Sequence, residues 1–547
     1  TRLSLDSWGK SIGYNKLTGT VDYNVMRTPL TKLDDAMLNY GERDVLVMYN
    51  CLKVYKQRYG YIRNIPLTQT GTVRRVVKDR LTADADYMKR MKRLVPSDAK
   101  EYKMLQTVFA GGYSHANRMY SGDTITSDAY GIIKHKDINS SYPTVMVAYK
   151  YPQTPWAYIG KEIPDDSEFE DTAYIMRLSF KNLRSTTFNT YIQASKCKAT
   201  NVKFDNGRVL SADTLEIWAT EFDWLTIKNT YEWDEVKSIG TYKSYKSYLN
   251  PIFTSYILDL YHNKTTLKGV DGYEDLYMQS KQYINSMFGM MVTAILQSDV
   301  VFDGQWHMKP ITADMVNAKL NKLRWYKPSE KRYFLSYSWG CWVTAYARRN
   351  LWKCIKYCDN QVIYADTDSL FINGSIDFSW YNRETTAKLK KACQDLGIDF
   401  NRTRPLKPDG SPAPLGIFTK EPNCIEFLTL GAKRYVERRE DNKLYLTVSG
   451  INKEAVELLN DNIENFRDGF NFDKDSEYVQ KKLSTYRDRM PEATYPDGYH
   501  STYRHAINLR NTGYVLTMTD EYKLLIDYQD GDLVISEAFL NHLKGRL

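Results

Sequence analysis

Residues 361–372, QVIYADTDSLFI, constrain the fold more than any other stretch of the chain: two apolar, strand-like runs flank a tight turn carrying Asp366, Thr367 and Asp368. A hairpin tip with two carboxylates two residues apart presents oxygen ligands at a rigid edge, as a hard cation such as Mg2+ requires. Asp is also common in ordinary polar turns, and the segment by itself suits that reading equally.

Three further segments carry chemistry. In IKHKDINSSYP, Asp137 ends a strand and the chain turns at once, with a helix from near Thr144 and Pro143 tolerated at its start. Set beside a hairpin-tip Asp, it would form the two-carboxylate clamp that holds two cations about 3.5 to 4 Å apart; alone it reads as a turn or cap residue. In SKQYINSMFGMM, Lys281, Asn285 and Phe288 fall at i, i+4 and i+7 and share one helix face. That face suits a nucleotide, with Lys for phosphate and the ring for stacking, although a single snorkelling Lys on a core helix also accounts for it. In LGAKRYVER, read as one strand, Lys433 and Tyr435 point to the same side, a pattern a plain surface strand shares.

The chain has 547 residues, enough for three or more packed units. Its net charge of +9 suits a polyanionic partner or a solvated basic surface. Aromatic residues make up 14 %, with 44 Tyr, and rings set between cations can stack on unpaired bases while the cations meet phosphates. No run of about 18 apolar residues occurs and TRLSLDSWGK lacks a signal-like stretch, so a soluble, intracellular protein is expected. Seven scattered cysteines fit reduced thiols, and the Cys354/Cys358 pair reads as packed core rather than zinc. No Walker loop, GxGxxG turn, HExxH helix or GxSxG elbow is present, which leaves metal-assisted chemistry on phosphates.

Along the chain, the opening reads as beginning inside a domain and runs into an amphipathic helix, LDDAMLNYGERDVLVMYNCLKVYKQRYG. Residues 67–100 are polar and basic and read as a helical connector rather than core. Residues 150–250 hold short strand-like runs without a chemical motif, 251–293 read as two helices joined by a polar turn, and KEAVELLNDNIENF reads as a helix among Tyr-rich strands.

Taken in order, these motifs resemble family B DNA polymerases, and specifically the protein-primed branch of small phages and linear plasmids. DINSSYP resembles motif A (Dx2SLYP), KQYINSMFG motif B (Kx3NSxYG), YADTDS motif C (YxDTDS) and KRY the KxY element. Phe109-Ala110-Gly111-Gly112 resembles YxGG with Phe for Tyr, and Tyr40 to Asp44 resembles the exonuclease motif Yx3D, following GTVDY. The resemblance implies an α/β (α+β) right-hand fold: a C-terminal exonuclease remnant at 1–66, a linker with the YxGG-like element at 67–112, palm at 113–148, a first terminal-protein-region insertion at 149–248, fingers at 249–292, a second insertion at 293–335, palm at 336–450 and thumb at 451–547. It further implies that Asp137 and Asp368 hold two Mg2+ (or Mn2+) ions, with the Ile138 carbonyl assisting and Asp366 supporting. Tyr142 would exclude a ribose 2′-OH, Lys264 and Lys281 would hold the triphosphate, and Asn285 and Phe288 would line the nascent pair. Lys433 and Tyr435 would position the primer end, with Tyr364, Thr367, Gly111 and Gly112 also facing primer or DNA. Phe288 stands where the family usually has Tyr, and Tyr277 where it has a further lysine. Asp44 lacks the upstream exonuclease carboxylates, so no proofreading is expected of this chain.

The implied activity is DNA-directed DNA polymerisation by a monomer in the host cytoplasm, using template, primer and dNTPs, able to start on a terminal protein and to displace strands. The alternative is a catalytically silent module that binds DNA or a terminal protein.

Overall fold

The computed structural model describes residues 5–10, 12–17, 32–65, 68–302, 306–325, 333–472, 481–486, 506–511 and 514–518. At its centre is an antiparallel sheet whose strands run in the order Ser114–Ala116, Val362–Asp366, Ser369–Asn373, Ile133–Ile138, Cys424–Gly431, Arg434–Arg439, Leu444–Val448, with Phe418–Lys420 pairing on 133–138 and Ile125–Thr126 on 424–431. Away from its turn and its last residue, the 362–373 hairpin is apolar on both faces, as Val362 to Ala365 and Leu370 to Ile372, because both of its faces are covered. Val362, Ala365, Leu370 and Ile372 pack with Leu351, Cys354 and Ile355 of the long helix Tyr337–Cys358. Tyr364 and Phe371 turn the other way, onto Phe427 and Tyr435, with ring centroids 4.6 Å apart for Phe371 and Phe427 and 4.9 Å for Tyr364 and Tyr435. Cys354 and Cys358 are free, buried thiols of that helix.

Residues 150–248 form a second antiparallel sheet. Its strands are longer than the expected short runs: Thr172–Ser185, Arg208–Thr220 and Glu235–Tyr248 carry it. Polar residues interrupt the apolar alternation of each, as in the half-exposed stretch Ser179 to Ser185, which hides their length in the sequence. The helix Glu221–Thr230, closed by a capping box between Thr220 and Asp223, docks this sheet on the long helix. There Glu221 is fully buried, 3.1 Å from Lys246 Nζ and accepting from Trp342 Nε1 at 2.8 Å, so both buried charges are partnered.

Pro251–Thr266 and Glu274–Met291 form the expected helix pair, the first opened by Asn250 accepting from the Ile252 amide and by Pro251 in the first turn. Residues 67–100 are not a solvated connector. Gln69–Leu81, Ala85–Arg93 and Ala99–Val108 are helices that bury Val73, Val77 and Leu81, then Tyr87, Met88 and Met91, in the largest apolar cluster of the protein. In the first of them the apolar stripe, at i, i+4 and i+8, is narrow, and the charges around all three dominate the composition.

Residues 293–335 contribute the strand pair Val300–Phe302 and Trp306–Met308 and the helix Ala313–Arg324, with 303–305 and 326–332 outside the described residues. KEAVELLNDNIENF is not an α-helix but two short 3₁₀ turns, Lys453–Leu459 and Ile463–Asn465, separated by Asn460 and Asp461 at φ 51° and 54°. Two consecutive left-handed residues end any right-handed helix, and Asn and Asp tolerate that conformation. Most of 473–547, and GTVDY, lie outside the described residues. No helix among the described residues is long and apolar enough to cross a membrane.

Candidate active site

The DTD turn is built by its own backbone. Thr367 takes φ 59°, its amide donates to the Tyr113 carbonyl at 2.5 Å, and the Asp368 amide donates to the Asp366 carbonyl at 2.6 Å. Sheet pairing sets Ser369 opposite Asp137, and the Ile138 amide donates to the Asp368 carbonyl at 2.8 Å. Motifs more than two hundred residues apart are thereby fixed in one register, with the carboxylates of Asp137 and Asp368 on one edge. Burial pushes Asp368 up to about 7, with the Asp137 and Asp366 charges adding to the effect against Lys264 and Lys433. Burial pushes Asp137 up to about 6, with Glu421 adding its like charge and Lys264 opposing. Two mostly buried carboxylates whose ionisation is pushed up toward neutral pH for want of positive charge are a donor set that a hard divalent cation would satisfy. Among the described residues no group of three or more His, Cys, Asp or Glu forms a closed metal cage.

Asp366 is occupied differently. Lys433 Nζ reaches both its oxygens at 2.7 and 2.8 Å, and Thr367 Oγ1 donates to Oδ1 at 2.9 Å. LGAKRYVER is not one strand: 424–431 and 434–439 pair as a hairpin whose turn holds Lys433 at φ 56°. Lys433 and Tyr435 therefore do not share a strand face. Lys433 reaches over to the DTD turn, its amide donating to the Tyr364 hydroxyl at 2.7 Å, while the Tyr435 ring lies in the aromatic layer beneath.

The opposite wall comes from the helix pair. Lys264 Nζ donates to Ser140 Oγ at 2.7 Å, and burial with the nearby Lys281 charge pushes its ammonium down while Asp137 and Asp368 pull it up. Lys281 and Asn285 are exposed on the same face of 274–291, and Phe288 is half-buried. The Phe288 ring centroid lies 4.8 Å from Tyr142 and 6.5 Å from Phe109, so three aromatic residues from three motifs line one wall. Burial pushes the Tyr142 phenol up to about 12, assisted by Asp368 and Asp366 and opposed by Arg348. Gly112 lets these parts approach: a Cβ there would stand 2.9 Å from both the Tyr142 hydroxyl and Thr367 Oγ1. The helix carrying Tyr142, Ser141–Ala148, starts three residues before the expected Thr144, because Ser140, left-handed at φ 54°, turns the strand directly into it.

Two residues of this centre escaped the motif search. Glu421 faces Asp137 from the strand end after Phe418–Lys420, where Thr419 sits opposite Asp137. Arg348 Nη1 donates to the carbonyls of Ala110 and Gly111 at 2.6 and 2.9 Å, and its Nη2 donates to Asp223 at 2.7 Å. Gly111 is thus tied through its carbonyl and has open space where a side chain would be. Away from the cleft, Tyr40 and Asp44 lie one turn apart on Asp35–Tyr59, and Lys16, also unmarked in the sequence, is 3.0 Å from the Asp44 carboxylate and 4.7 Å over the Tyr40 ring.

A carboxylate edge on an antiparallel sheet, faced by a cationic helix pair, defines the right-hand polymerase class of fold. In solved structures the match is to phi29 DNA polymerase: the complex with primer-template DNA and incoming nucleotide substrates gives a TM-score of 0.63 at 16 % identity over 94 % of this chain and 78 % of that one. The complex with single-stranded DNA gives 0.64 at the same identity and coverage. In sequence the chain is similar to the DNA polymerases of Bacillus phage PZA (23 % identity, 54 % of this chain and 49 % of that protein) and Bacillus phage phi29 (22 %, 59 % and 54 %). It spans about half the length of the curated relatives it matches. No protein-family model matches the chain. The fold is that of phi29 DNA polymerase, and the sequence likeness is to the same group of phage enzymes that its motifs resemble.

Proposed function

We propose that this protein is a DNA-directed DNA polymerase of the protein-primed family B type. The observation that carries the proposal is the Asp137–Asp368 pair, held by sheet register at the floor of a cleft whose facing helices supply Lys264 and Lys281. In this reading the central sheet with 337–358 is the palm, 249–292 the fingers, 451–547 the thumb, 149–248 and 293–335 the two terminal-protein-region insertions, 67–112 the linker, and 1–66 part of an exonuclease domain.

The reaction is in-line attack by a primer 3′-OH, or at initiation by a hydroxyl of a terminal protein, on the α-phosphorus of a dNTP, with pyrophosphate leaving. Asp137, Asp368 and the Ile138 carbonyl would hold divalent cations, Mg2+ foremost, whose charge would ease deprotonation of the nucleophile and neutralise the leaving pyrophosphate. Lys264 and Lys281 bind and orient the triphosphate. Phe288, with Asn285 beside it, packs against the nascent base pair, and the Tyr142 ring beneath the sugar leaves no room for a 2′-OH. Lys433 holds Asp366 and, with Tyr435, Tyr364 and Thr367, positions the primer end; Gly111 and Gly112 let the DNA backbone pass close. Contacts to DNA would be largely to phosphates and therefore weaken with salt. The protein works as a monomer in the host cytoplasm.

The test is extension of a primed template with dNTPs and Mg2+ by the chain and by Asp368→Ala, with DNA affinity measured for both. Extension lost in the variant at unchanged affinity supports the assignment, whereas extension surviving both Asp137→Ala and Asp368→Ala overturns it. Labelled dATP with a candidate terminal protein tests priming, since only protein priming leaves nucleotide covalently on protein.

A further inference from the structure

On the far side of the long helix from the hairpin, a concavity of about 200 Å3 opens between 221–230 and 337–358. Arg349, Lys353 and Lys356, at i, i+4 and i+7 of one helix face, line it together with Leu225, Asn229 and Trp352. We propose that this concavity is a binding site for a terminal phosphate group, distinct from the polymerase cleft.

The argument is one of charge. Lys353 is paired to Glu384 at 2.6 Å, but Glu384 is shared with Lys388 at 2.5 Å. Among the described residues Lys356 Nζ donates only to the neutral Asn229 Oδ1, at 3.1 Å. The Arg349 guanidinium lies 5.0 Å from the centroid of the Phe222 ring and has no carboxylate partner among the described residues. The concavity is therefore left with at least two positive charges without an acid to match. Burial, reinforced by Arg349, pushes the Lys353 ammonium down, as expected where cations are crowded. The hydroxyls of Thr226 and Thr230 donate to carbonyls within their own helix, and the Asn229 amide does the same. The polar chemistry left is all donor and cationic.

A carboxylate carries one charge and would leave the site positive. A terminal phosphate carries about 1.5 to 2 negative charges near pH 7 and three acceptor oxygens, enough to meet the Arg349 fork and both ammonium groups. At about 30 Å3 per water, the concavity has room for several waters, hence for a phosphate with part of what bears it. The phosphate could belong to a small molecule or to a nucleic-acid end.

The test is calorimetric titration of the full chain, without divalent cations, with inorganic pyrophosphate, adenosine monophosphate and an oligonucleotide lacking terminal phosphates. Pyrophosphate and the monophosphate should bind at a site whose affinity falls at least tenfold in Arg349→Gln/Lys356→Gln and is unchanged in Lys281→Gln, a substitution in the cleft. A 5′-phosphorylated oligonucleotide that competes, where its unphosphorylated form does not, identifies a nucleic-acid end as the source; failure to compete identifies a small molecule. Pyrophosphate affinity unchanged in the double variant overturns the proposal, as does binding of the unphosphorylated oligonucleotide alone with the same Arg349 dependence. Should the double variant unfold, the exposed Lys356→Gln by itself must still weaken binding at least threefold, and an unchanged affinity there refutes the site.

Discussion

Replacing Asp368 by Asn should stabilise the cation-free protein above neutral pH while abolishing polymerisation. Asp368 stands at about 7 against an ordinary 3.8, raised first by burial and then by Asp137 and Asp366. At 1.36 kcal/mol per unit, its ionisation above pH 7 costs the folded state about 4 kcal/mol. The raised value means that the folded state holds the proton more tightly than the unfolded one, so the penalty is absent below about pH 4, grows through pH 7 and is complete above it. Asn carries no charge but returns part of the gain through imperfectly paired amide atoms, about 1 to 3 kcal/mol. The expected net gain is therefore about 2 kcal/mol at pH 8, shrinking as the pH falls toward 5. The backbone of the turn does not depend on this side chain, since the Asp368 amide and carbonyl make its hydrogen bonds. Thermal unfolding of both proteins in EDTA from pH 5 to 8 measures the difference, and added Mg2+ should reverse the order at pH 8 by binding the ionised pair of the native protein. A stability difference that is flat with pH, or an Asn variant less stable than the parent at pH 8, would refute the reasoning.

Lys433→Met frees Asp366 to add its repulsion to Asp368. Because Lys433 is half-exposed, the stability cost should stay below about 1 kcal/mol, whereas primer extension should fall at least tenfold, read by single-turnover extension. Gly112→Ala places a methyl 2.9 Å from two oxygens, and overpacking of this kind costs about 1 to 3 kcal/mol, visible as a lower unfolding midpoint together with lost extension. Arg348→Met leaves the buried Asp223 unpaired, at a cost of about 3 to 5 kcal/mol, and adding Asp223→Asn should restore part of it in a double-mutant cycle. Glu421→Gln should lower the apparent pKa of the Asp137 step, shifting the acid limb of the pH–rate profile to lower pH; an unmoved limb would show that Glu421 does not sense that carboxylate.

The parts of this site that the sequence made legible are those whose geometry is local. A tight turn with Asp at both ends, three residues at i, i+4 and i+7, and a strand that ends on Asp before a turn each encode their own shape within a dozen residues. The parts that were not legible depend on how distant segments come together. Glu421 faces Asp137 only because Thr419 pairs with that residue across the sheet, a register 282 positions apart in the chain. Arg348 is one cation in a helix of mostly buried residues, and nothing in YARRN distinguishes it from Arg349. One points through to Ala110, Gly111 and Asp223, while the other faces the opposite concavity. The position of Lys433 is hidden for a related reason: alternation along LGAKRYVER mimics a strand, and only the positive φ at Lys433 reveals the turn.

That contrast bears on how the centre is held. Three motif residues are set by groups distant in the chain: Asp366 by Lys433 of the KxY-like element in its left-handed turn, the Gly111 carbonyl by Arg348, and Asp137 by the like charge of Glu421. Arg348 also reaches Asp223, a residue of the 221–230 helix whose carboxylate accepts from the Thr220 amide and hydroxyl in its capping box. The segment leading into Gly112, the glycine that lets Tyr142 approach, and the 221–230 helix therefore share one buried guanidinium. A perturbation at Asp223 should be felt at Gly112 and Thr367 without any contact to substrate, because the intervening groups are packed and hydrogen-bonded and have no slack to absorb a shift.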